Sequence, residues 1–431
     1  MDPAPQRPAR ARRPPAPEDM RWRARWLLAA PHRLGFFAAA LMLAISALWW
    51  CAILVARAAG LTPPWAVPPA AAHGLLFSQG FMPLFMAGFL YTAGPKWLGL
   101  GEVDARRLLV PVLTMLTGWL LALAGFHLHA VLAAAGVALV ASGWARLCLR
   151  FTGLLRASPM EDRLHPTLVA VACGVGCVAL GLAAAALVLE QPALLGSANQ
   201  LAIWGFAASV FATVSHRMIP FFSASAVPTL DAWRPTWLLW VLLGLLWAEL
   251  LPALAEPWWW PLPAALRWAQ VALELPAAAL LLWLALRWGL VQSLKIRLLA
   301  MLHGGFFWLG LVFALQAVTH ALMALSDHTL TLGLAPLHAL TMGYLGATLF
   351  AFTTRVSAGH GGRPLAADDL AWGLYWLVQA AVLLRILAEL WPARGPVFTL
   401  LAVLAWTVAM TVWALRYGSW FGRPRIDGRP G

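Results

Sequence analysis

The feature that most constrains this chain is the recurrence of long apolar runs. Twelve stretches of about 20 residues follow one another along the 431-residue sequence, and each is long enough to cross a bilayer as a helix. They fall at 34–58, 72–93, 108–126, 129–149, 167–190, 198–222, 236–254, 265–287, 297–323, 332–354, 370–391 and 396–416. Breakers separate them: Pro63-Pro64, Gly94-Pro95, Ser158-Pro159, Pro192, Pro228, Pro257 and Pro392. With 62% hydrophobic and 11% charged residues, the chain is no water-soluble enzyme, disulfide scaffold or disordered tail protein. A barrel would alternate apolar and polar positions over strands of about 10 residues, and these runs do not. The fold class is all-α, a polytopic transmembrane helical bundle of twelve spans.

Charge orients the spans. A formal net charge of +13 would point to nucleic acid in a soluble chain. Here the basic residues sit between the apolar runs, so the partner is the lipid bilayer and no nucleic acid is expected. The segment before the first span is rich in arginine, and 59–71 carries none. Lys96, Arg106 and Arg107 follow the second span, and Arg150, Arg156 and Arg163 follow the fourth. Arg234, Lys295, and Arg355 with Arg363 continue the alternation, and only Arg394 breaks it. Every even-numbered connection is basic, which places both termini in the cytoplasm. Residues 1–33 then read as a disordered Arg/Pro-rich arm, 34–416 as the membrane domain and 417–431 as a cytoplasmic tail. Trp258, Trp259 and Trp260 mark the outer interface.

Ionisable groups inside spans cost roughly 2.5–3.5 kcal/mol each on insertion scales, so each needs a reason. Arg385 and Glu389 stand four apart on one span and can pair; Glu249 and Glu274 lie inside or near span ends. Cys51, Cys148, Cys173 and Cys177 fall within or at the ends of spans and read as small core residues. Histidine says more. His73, His320 and His338 lie towards the outer face. His216 and His303 each sit about six residues inside the cytoplasmic surface, a depth of about 9 Å. They are placed to face each other as axial ligands of a haem must, with Arg217 and Arg355 near in depth. Imidazole is the commonest ligand for iron and copper and adds no charge to an apolar interior. The distribution leaves two uses open, a redox metal or haem on one hand and packed, hydrogen-bonded histidines on the other. A transporter would instead show acidic residues through the middle or helices broken at matching places. Gly80 and Pro83 allow one such break.

One string extends the argument. His338-Ala339-Leu340-Thr341-Met342-Gly343 leads through Thr354-Arg355-Val356-Ser357-Ala358-Gly359-His360 to Gly362-Arg363-Pro364. Together with His73-Gly74, Gly94-Pro95-Lys96-Trp97, Arg217-Met218-Ile219-Pro220-Phe221-Phe222 and Leu302-His303-Gly304-Gly305-Phe306, it resembles the NnrS family, in order across about 70–365. The resemblance implies a twelve-helix bacterial inner-membrane protein containing haem and copper. It implies nitric oxide as a small gas ligand, and a place in denitrification or resistance to nitrosative stress. It establishes no catalytic reaction and names no electron donor. Carried over position by position, it makes His73, His216, Arg217, His303, His338, Arg355 and His360 cofactor-binding candidates. Of these, His73, His303 and His338 are the metal candidates, and Arg355 is an electrostatic partner. Many relatives carry His-x-His-Glu where this chain has Ala71-Ala72-His73-Gly74, and a tyrosine where it has Phe306. One imidazole, one carboxylate and one hydroxyl are thereby lost. The competing classes are a transporter without cofactor and a haem–copper-type nitric oxide or oxygen reductase subunit. The latter uses an adjacent His-His pair, a dipeptide absent from this sequence.

Overall fold

A computed structural model describes residues 20–428. Twelve helices in it are long and apolar enough to cross a membrane. They are α1 Pro31–Ala58, α2 Pro69–Trp97, α3 Arg106–Leu128, α4 Ala130–Ala157, α5 Leu164–Val188, α6 Pro192–Ala226, α7 Thr236–Ala255, α8 Ala264–Arg287, α9 Arg297–Leu325, α10 Ala335–His360, α11 Asp369–Leu390 and α12 Pro392–Phe421. The chain is a multi-pass membrane protein. Proline opens several of these helices, at Pro31, Pro69 and Pro192, where the missing N–H would have no intrahelical acceptor anyway.

The helices overrun the apolar windows, most of all at α4, α6 and α12, and α10 does so at its C-terminal end. The reason is plain in α10: Thr353, Thr354 and Ser357 lower the hydropathy, yet all three are buried in the bundle. Arg355 and His360 therefore belong to the helix and not to a loop after it. The arm is shorter than 1–33 as well. Ala24–Ala29 forms a 3-10 turn, α1 starts at Pro31, and Arg33 is buried with its guanidinium donating to the Phe421 and Arg423 carbonyls. The rest of the arm, 1–19, lies outside the described residues. At the other end Arg23 N–H donates to the Gly422 carbonyl. The two ends of the chain thus meet on one face of the bundle, hereafter the terminal face. An even number of spans requires this.

Four helices form the centre. The most apolar windows of α2, α6, α9 and α10 are 72–83% buried, against 39–44% for the other eight. Around them α1 packs on α2 and α12, α3 on α4, α8 on α9, and α11 on α12. Close approach is built from small residues: a Cβ on Gly35 of α1 would stand 2.6 Å from Gly88 Cα of α2. Peripheral α7 and α8 share a buried polar network with central α9. Glu274 accepts from or donates to His320 Nδ1 at 2.6 Å, Glu249 lies against Glu274, and Arg267 bonds Gln270 and Glu256. The thiols of Cys148 and Cys177 touch at 3.6 Å, and all four cysteines are free.

The central helices are irregular. α2 breaks between Gln79 and Met82. α6 winds into a π-helix over Leu201–Ala208, and α10 does so over Ala339–Gly346. Such wide turns gather at functional sites.

Candidate functional site

All three irregularities border one cavity of about 340 Å³ at the face opposite the termini. Ser78 and Phe81 reach it from the break in α2, Ala207 from the wide turn of α6, and Met342 from that of α10. His73 and His338 line it together, from different helices. The His73 ring stacks on Trp50 with centroids 4.2 Å apart and meets Phe77 at 4.4 Å. Its Nδ1 is buried with no hydrogen-bond partner. On His338, Nδ1 lies 2.9 Å from the Leu334 carbonyl oxygen. A carbonyl only accepts, so Nδ1 carries the proton and Nε2 keeps its lone pair. Asn199 and Gln200 also line the cavity, and each has a buried carboxamide oxygen without a partner. Arg385 stands there too, paired with Glu389 at 2.6 Å.

A Cβ at Gly74 would stand 2.9 Å from Asn199 Nδ2, so Asn199 fills the space beside this stretch of backbone. Phe306, in place of tyrosine, is fully buried with its ring 4.8 Å from that of Trp288.

A second cavity, of about 510 Å³, lies at the terminal face. Arg355 and His360 line it, with Lys96 from the end of α2 and His32 from the start of α1. The His32 and His360 rings are 4.4 Å apart. Between the two cavities the core closes to a space of about 50 Å³ lined by Phe36, Phe85, Phe211 and Phe352.

His303, His338 and Arg355 therefore do not share one cavity. Arg355 lies seventeen residues beyond His338, roughly 25 Å along α10. Gly305 packs on Thr348, which puts His303, two residues nearer the terminal face, about 18 Å from the level of His338. His303 is buried and hydrogen-bonded through Nε2 to Ser223 Oγ at 2.8 Å. Nor do His216 and His303 face each other across a cavity. His216 Nε2 donates to the Pro235 carbonyl at 3.2 Å, so its Nδ1 accepts from His165 Nε2 at 3.0 Å. Both nitrogens of His216 are engaged, and Arg217 lies over the Trp97 ring at 5.0 Å. None of His216, Arg217 and His303 lines either cavity.

Fold and site define a class: a polytopic helical membrane protein with an imidazole-lined cavity at each end of a four-helix centre. The chain belongs to the NnrS family, whose sequence model, described as NnrS protein, matches residues 26–425. No curated protein matches it.

Proposed function

We propose that the chain is a bacterial inner-membrane haem protein of the NnrS type, working in the response to nitric oxide, in denitrification or in resistance to nitrosative stress. Family membership supports the class. The observation that carries the cofactor is the pairing of His73 and His338 on one cavity, with His73 Nδ1 unpartnered and the His338 tautomer set for Nε2 ligation. Porphyrin supplies four nitrogens of its own, so the protein would need to provide only one or two more, and His73 and His338 would hold the group. Copper fits less well. Among the described residues no group of three His, Cys, Asp or Glu side chains is placed to hold a metal ion, whereas copper(II) favours a tetragonal set of nitrogen and oxygen donors. The proposal therefore rests on haem.

Bound there, haem would supply a redox-active iron able to take a small gas as ligand. The protein's own part is orientation and exclusion of water. Trp50 holds the His73 ring by stacking, and the Leu334 carbonyl fixes the His338 tautomer. Phe77, Phe81, Met342 and Trp406 make the walls apolar, which suits a neutral diatomic. Arg385, kept in place by Glu389, is the cation nearest to hand for a porphyrin carboxylate.

A cofactor-free transporter is the second reading. It is favoured by the break in α2 beside the same cavity, where the Gln79 carboxamide is buried without partners. Absorption spectra of the detergent-purified protein, oxidised and dithionite-reduced, with iron analysis, separate the two. A Soret band with stoichiometric iron, lost in His73→Ala or His338→Ala, is the result expected. A colourless preparation from haem-replete cells would overturn the haem reading and leave the transporter.

A further inference from the structure

The terminal cavity has a chemistry of its own, and the reading above does not use it. Lys96 and Arg355 both line it, and among the described residues neither has a carboxylate within ion-pair distance. Glu102 also borders the cavity, beyond that distance from either. Arg425, the third cation on its wall, is taken up by Asp427 through contacts of 2.9 and 2.7 Å. The Arg355 guanidinium is set over the Phe222 ring at 4.1 Å, which holds it in place without neutralising it.

Two imidazoles face the same space. His32 is 2% exposed, and its Nδ1 has no hydrogen-bond partner. Its ring stands 4.4 Å from that of His360. Two unpaired cations beside two hydrogen-bonding rings, in a site partly withdrawn from water, create a field that favours an anion. The remaining wall is apolar, with Phe89, Val103 and Leu365. Basic pockets between membrane helices on the face rich in Lys and Arg hold acidic lipid headgroups, and this one has that composition.

We infer that the terminal cavity binds an acidic amphiphile, its phosphate or carboxylate held by Lys96, Arg355 and the His32–His360 pair and its apolar body by Phe89, Val103 and Leu365. An acidic phospholipid and a porphyrin both present this chemistry, and two arms of one experiment distinguish them. In the first, delipidated full-length protein in phosphatidylcholine nanodiscs is titrated with phosphatidylglycerol, and retained lipid is counted by native mass spectrometry. In the second, haemin is added to lipid-free protein in detergent and the Soret band is followed.

In one arm or the other the wild-type chain should retain about one ligand, as a cavity of this size allows. Replacing Lys96→Gln and Arg355→Gln together should weaken it roughly tenfold or more, the scale of losing a charge-assisted contact. Arg355→Lys should recover part of the affinity, which shows that the charge and not the fold was lost. His338→Ala, at the opposite face, should leave the terminal ligand in place; a haemin signal that vanishes in His338→Ala but survives the double substitution belongs to the other cavity and counts against this inference. Retention of neither ligand by the wild type, or undiminished retention by the double variant, would overturn it.

Discussion

Helices α2 and α10 line both cavities, yet the cavities differ in the charge that they present to a ligand. α2 contributes His73 to one and Lys96 to the other; α10 contributes His338 to one and Arg355 with His360 to the other. At the far face the cation on the wall, Arg385, is already paired with Glu389 and the imidazoles carry free lone pairs. At the terminal face Lys96 and Arg355 have no carboxylate partner and the imidazoles crowd together. Phenylalanine rings close the passage between them. The lesson is that one helix pair can present two chemistries, imidazoles with a paired cation at one end and unpaired cations at the other, provided that the bilayer-spanning length separates them and an apolar layer insulates them.

The largest effect that would break this comparison is spectral. His338→Ala should abolish absorption from a far-face haem, and His303→Ala, which removes only a bond to Ser223, should leave the spectrum while lowering thermal stability. Equal loss of colour in both variants would dissolve the division between the sites. Next in size is the α7–α9 network, which borders neither cavity. Replacing Glu274 by alanine strands His320 in a buried position, and leaving a buried polar group without its partner costs about 1–3 kcal/mol. Thermal unfolding of the detergent-purified variant should show it, with the cofactor spectrum unchanged.

A Gly35→Val substitution drives a side chain into the Gly88 backbone and should cost about 1–3 kcal/mol as overpacking. Because α1 carries His32, it should disturb the terminal cavity before the far one, readable as weaker retention of the acidic ligand at constant haem content. The smallest effect concerns Asp368, which caps α11 by accepting from the Ala371 N–H at 3.0 Å and pairs with Arg416. Asp368→Ala should cost about 1 kcal/mol, as for other N-caps. Burial pushes the Asp368 carboxyl up, but the Ala371 N–H and Arg416 outweigh it and hold the group below the usual carboxylate range. Its contribution is thus complete above the unfolded carboxylate pKa and is lost as pH falls through the folded value. Unfolding curves of wild type and variant should converge in acid.

Much of this architecture was legible in the sequence, and particular residues show where legibility ends. Twelve apolar runs give twelve helices because every backbone group in lipid must bond within its own segment. The far-face pair was partly visible, since His73 and His338 open helices that start on the same side. His32 was missed because it stands among arginines and prolines that read as an arm; Pro31, a helix-opening residue directly before it, was the available signal. Arg355 and His360 were assigned to a loop because hydropathy counts Thr353, Thr354 and Ser357 as polar, while inside the bundle they pack. The partnership of His216 with His165 joins residues 51 apart, and no local pattern reports it. The wide turns of α6 and α10 were equally hidden, since their composition is that of any apolar helix.

Those wide turns also make α10 a matter of counting. A turn that closes i to i+5 holds one residue more than regular winding requires. Deleting one residue within Ala339–Gly346 would let the helix relax to ordinary pitch and keep Arg355 and His360 in phase with His338, because the wide turn already absorbs that residue. The same deletion in the regularly wound stretch Ala347–His360 would swing everything beyond it by about 100°, and His360 would then point away from His32 with no change in its identity. Along this helix the wide turn acts as slack in a phase setting, so where a residue is lost matters more than which residue it is.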